Sequence, residues 1–66
     1  MTAEIRILYT EVCSYLRANL RFKNSELKRL HAAAEEIRMN LLVDAQTFPF
    51  HVVQANAWRA AMNLCA

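Results

Sequence analysis

Apolar residues recur at steps of three and four along almost the whole chain, and the pattern breaks twice. A helix turns about 100° per residue, so such steps gather side chains on one face. Ile5, Leu8, Val12, Tyr15, Leu16 and Leu20 make the first stripe, with Arg6, Thr10, Ser14, Arg17 and Arg21 opposite. This predicts an amphipathic helix over about 2–22. Asn19 falls inside the stripe. It is either an edge residue near the helix end or a buried amide that fixes register with a partner helix.

The segment 25–46 predicts a second helix. Asn24 or Ser25 can cap it, because a side-chain oxygen accepts from the free first-turn N–H groups. Leu27, Leu30, Ala34, Ile37 and Leu41 form its seam, and Ala32, Met39 and Val43 stand roughly opposite. The short break at Lys23–Asn24 implies an antiparallel hairpin of helices. The second break ends at Pro49. Proline disfavours helical backbone at the residue before it, so Phe48 should leave the helix. Proline itself suits a first helical turn. A third helix is therefore expected over about 49–65, with Phe48 and Phe50 plugging the end of a bundle.

The third helix is apolar on two sides. Phe50, Val53, Ala57, Ala61 and Leu64 line one; His51, Ala55, Trp58, Met62 and Cys65 line the other. Only Asn56, Arg59 and Asn63 form a polar strip. A helix of this kind is sandwiched, either in its own fold or against a partner. Two neighbouring helices cannot easily cover both sides, and Trp and Met are enriched at interface cores. The expected contact surface is Met39, Val43, Ala55, Trp58, Met62 and Cys65. It would be covered by a second copy of the chain or by a helical protein partner. The competing expectation is that Trp58 packs within the core of the monomer.

Size strengthens the case for a partner. The chain has 66 residues, enough for one domain, and a domain near that length is marginal alone. Its hydrophobic fraction is 56%, above the ~45–50% usual for soluble chains. The expected fold is all-α: an antiparallel hairpin plus a third helix, a three-helix bundle completed by oligomerisation. There is no glycine. That excludes glycine-rich phosphate loops and disfavours tight β-hairpins.

The net charge of +2 is mild, but it is unevenly placed. Arg17, Arg21, Lys23, Lys28 and Arg29 gather around the first turn, with Glu26 the only acid among them. Cations suit the C-terminus of helix 1 but oppose the dipole at the start of helix 2. That patch could meet an anion or an acidic partner. A DNA-reading helix-turn-helix is disfavoured, since the helices are long, the turn lacks glycine, and no basic stripe runs along any helix.

Catalysis finds little support. His31 stands one turn before Glu35, a spacing that permits a side-chain pair. Neither His31 and His51 nor Cys13 and Cys65 have metal-ligand spacing. No cofactor and no small-molecule substrate are implied. The two cysteines suit free thiols in a reducing compartment, although a bundle could bring them to similar heights. No stretch is long and apolar enough to span a bilayer, and acidic residues dilute the basic face of helix 1, so a membrane role is not expected. A cytoplasmic setting is the simplest expectation. No stretch carries a family motif from which residue roles could be transferred. The expected function is a non-enzymatic interaction module of adaptor, chaperone or inhibitor type, acting through helix 3. The alternative is a transcription-associated or nucleoid regulator touching nucleic acid or an acidic partner through the basic tip.

Overall fold

The computed structural model describes residues 1–20 and 27–66. The expected break at Lys23–Asn24, the caps Asn24 and Ser25, and the basic residues Arg21 and Lys23 lie outside the described residues. The described chain forms α1 (Ala3–Asn19), α2 (Leu27–Thr47) and α3 (Phe50–Leu64), and each helix packs on both others. This is the expected three-helix bundle.

The start and end of α1 and the start of α3 have local causes. Thr2 has extended backbone, and its Oγ1 accepts from the Ile5 N–H at 3.3 Å. Glu4 in the same turn suits the positive end of the helix dipole. The helix ends short of the expected Phe22. Leu20 turns to extended backbone at φ −71° and ψ 119°, its N–H donates to the Leu16 carbonyl at 2.7 Å, and its side chain is buried. Leu20 thus leaves the helix with its side chain buried.

At the second break the Phe48 N–H still donates to the Asp44 carbonyl at 2.8 Å. Pro49 is the N-cap of α3, just outside the first turn rather than within it. Its carbonyl accepts from Val52 and Val53 at 3.0 and 3.2 Å. No side chain caps this end. Phe50 packs against the core as a plug, whereas Phe48 stays exposed, so the expected pair of plugs is halved.

The pairing of helix ends gives the topology. Thr2, Ile5, Ala45, Phe48, Phe50 and Val53 line one cleft, so the start of α1 meets the end of α2 and the start of α3. Arg17 shares a groove with Leu30 and His31 at the other end. Hence α1 and α3 run parallel, with α2 antiparallel between them, in a body of 38 × 20 × 16 Å.

The core comprises Ile5, Leu8, Val12, Leu16 and Leu20 from α1 and its end, Ala33, Ile37 and Leu41 from α2, and Val53, Ala57 and Ala61 from α3. Among the described residues no buried side-chain polar atom lacks a hydrogen-bond partner. The seam of α2 differs from expectation at two places. Ala33 is buried while Ala34 is half-buried, because α2 faces two helices and its inner face spreads across both. Leu27 is 61% exposed. At 1.5 Å per residue α3 is about 9 Å shorter than α2, so nothing from α3 reaches the first turn of α2. No described helix is long and apolar enough to cross a membrane.

Candidate interaction surface

The second apolar side of α3 is partly consumed by the fold. The rings of Trp58 and Tyr15 meet edge-to-face, with centroids 5.6 Å apart and planes at 85°. Such a contact contributes about 0.5–1.5 kcal/mol beyond burial. It fixes the indole at the α1–α3 seam, half-buried. Cys65 also packs against the core and is half-buried. Ala55, His51 and Met62 remain exposed, Met62 by 54%.

On the opposite flank Asn56 Nδ2 donates to Asp44 Oδ2 at 3.4 Å and so marks the side of α3 that faces α2. Arg59 Nη1 donates to Asn56 Oδ1 at 3.5 Å and extends this polar strip. Asn56 and Trp58 stand about 200° apart round the helix. Ala55 and Met62 therefore lie on the outward face beside Trp58, turned towards α1. Met39 and Val43 are 50% and 60% exposed on the outer face of α2. Val43 precedes Asp44, which places it outward on the flank towards α3. The strip of Asn56, Arg59 and Asn63 runs between the two groups.

The six residues expected to form one surface are thus divided. Ala55, Trp58, Met62 and Cys65 share the α1-facing half of α3, and Met39 and Val43 form a separate stripe. Residue type alone indicated that both were apolar. The signal that separates them is the Asp44–Asn56 spacing, which sets the rotation of α3 against α2.

The basic tip is spread over one end of the hairpin. Arg17, Lys28 and Arg29 are all exposed there. The neighbouring groove holds Tyr9, Cys13, Arg17, Leu30, His31 and Ala34. Burial pushes the Tyr9 phenol above its ordinary pKa, and the neighbouring Cys13 thiol adds to this. The His31–Glu35 pairing suggested by spacing is replaced by another. Arg38 holds Glu35 through two nitrogens, with Nε at 3.0 Å from Oε2. That guanidinium lowers the Glu35 carboxyl below its ordinary range. Asn19 is exposed, with its amide donating to the Tyr15 carbonyl at 2.8 Å, so it lies at the edge of the stripe and outside the chain's own core. Among the described residues no three His, Cys, Asp or Glu side chains come together as a metal site.

An exposed isoleucine on α1 escaped the sequence reading. Ile7 is 60% exposed on the outer face of α1, in a shallow hollow with Ala3, Arg6, Thr10 and Glu11. A lone isoleucine off the main stripe gives no periodic signal. No family model matches this chain, and neither a curated protein nor a solved structure matches it.

Proposed function

We propose that this chain is a non-enzymatic protein–protein interaction module of adaptor, chaperone or inhibitor type. It would receive a helical segment of another protein along the outward half of α3. The observation that carries the reading is the state of Met62. It is exposed beside a tryptophan whose ring is already held by Tyr15. An immobilised aromatic next to a flexible thioether is the make-up of an interface anchor, since little conformational freedom is lost when a partner closes over it. Ala55, about two turns before Met62, lets a partner backbone approach closely. Ala55 and Met62 are exposed and lie outside the core cluster, so neither is needed to complete the fold.

The test uses Met62→Asp, which alters an exposed position in the last turn of α3 and should cost no more than about 1 kcal/mol of stability, through helix propensity and the helix dipole, leaving the chain folded. Partners recovered with the wild-type chain are identified and purified. Each is then titrated calorimetrically against both forms. The expected result is a partner whose affinity falls at least about tenfold with Met62→Asp, which corresponds to loss of one interface anchor. If every purified partner binds both forms equally, the α3 reading fails.

A further inference from the structure

We propose that the outer face of α1 pairs with the same face of a second copy, with the two α1 helices running parallel. This surface lies off the outward half of α3 and is independent of the function proposed for it. Ile7 lies there, 60% exposed, on the side of α1 opposite the buried Val12. Ala3, Ile7, Thr10 and Ser14 follow one another at steps of four, three and four, the spacing of a coiled-coil seam. Arg6 and Glu11 flank Ile7 on opposite sides of that seam and border the same hollow.

The flanking charges choose both the occupant and its direction. Neither Arg6 nor Glu11 has an ion-pair partner among the described residues. They stand five residues apart. In a parallel pair of helices, this is the spacing at which a residue flanking one helix reaches the next flanking position of its neighbour. Arg6 of each copy then meets Glu11 of the other. An antiparallel pair would bring like flanks together, Glu4 and Glu11 against acids and Arg6 against Arg6 or Cys13 rather than an acid, which is unfavourable. The face is therefore complementary to itself in one orientation.

The seam is also prepared for loss of water. Thr10 Oγ1 donates to the Arg6 carbonyl at 3.0 Å, and Ser14 Oγ donates to the Thr10 carbonyl at 2.9 Å. Both hydroxyl protons are already bonded within α1, so covering them strands no donor. Arg17, three residues beyond Ser14 and next along the seam, would face its own copy. That confines the contact to the first turns of α1 and makes the dimer weak and concentration-dependent.

The experiment follows mass by sedimentation equilibrium across a concentration series at low salt, with circular dichroism on every variant to verify folding. Wild type is expected to rise from 7.6 kDa towards twice that mass. Arg6→Glu alone and Glu11→Arg alone each turn two attractions into repulsions, and each should weaken the dimer about tenfold. An equimolar mixture of these two variants should form heterodimers, and the double variant should recover self-association. Wild type that stays monomeric throughout overturns the proposal. So does a dimer that tolerates either single swap, or one lost to Met62→Asp while both swaps leave it intact.

Discussion

α1 and α3 lie side by side and parallel, yet they fill the core with different material. α1 buries Ile5, Leu8, Val12 and Leu16, with Leu20 just beyond its end. α3 buries only Val53, Ala57 and Ala61. Its larger side chains, Phe50, Trp58 and Leu64, pack at the margins of the same cluster, and Met62 is outside it. Branched side chains from α1 occupy the volume between the helices, and α3 answers with small residues that let its backbone come close. A helix can therefore be the most apolar of three and still contribute the least side-chain volume to the centre.

The contrast is broken most severely on the α1 side. Leu16 is fully buried, and Leu16→Ala should cost about 3–5 kcal/mol through lost transfer energy and an unfilled cavity. A chain of this size has only about 3–10 kcal/mol in total. Urea titration followed by circular dichroism is expected to show the variant largely unfolded or close to it. An unfolding midpoint near that of wild type would mean that α1 is not the main supplier of the core.

Ala61→Leu tests the other side. Ala61 is completely buried, so added carbons have no space and should cost about 1–3 kcal/mol as overpacking. The same titration measures this. A stabilised variant would show that α3 stands off from its neighbours and leaves a cavity.

The smallest expected effect concerns the helix starts. α1 is capped by Thr2 and α3 by no side chain at all. Thr2→Ala should cost about 1 kcal/mol, read as a lower thermal midpoint. Amide exchange would localise the added fraying to the first turn of α1. An unchanged midpoint would mean that the 3.3 Å contact from Ile5 contributes nothing net.

These differences also explain what could be read from the chain. The stripe of α1 was legible because one face is apolar, the other is polar, and large residues mark the boundary. Pro49 located the α2–α3 corner to within a residue. For α3, periodicity offered two apolar sides of similar strength, and hydrophobicity does not say which side is inward. Steric fit decides that, and fit depends on the side chains supplied by α1 and α2. Trp58 shows the limit most clearly. It is neither wholly core nor wholly interface, because Tyr15 reaches it across a seam whose register no single helix reveals. Ile7 was missed for the reverse reason: its meaning depends on the charges beside it rather than on any stripe.

The parallel course of α1 and α3 has a mechanical consequence. Handles attached at Thr2 and Asn63 sit at opposite ends of the 38 Å body, so tension between them runs along the helix axes. All layers of the α1–α3 contact are then loaded together, in shear. Handles at Thr2 and Phe48 sit at one end, and the same tension would open the α1–α2 contact layer by layer, like a zipper. The molecule is accordingly stiff along one pair of points and compliant along another, although both pairs load contacts within the same core.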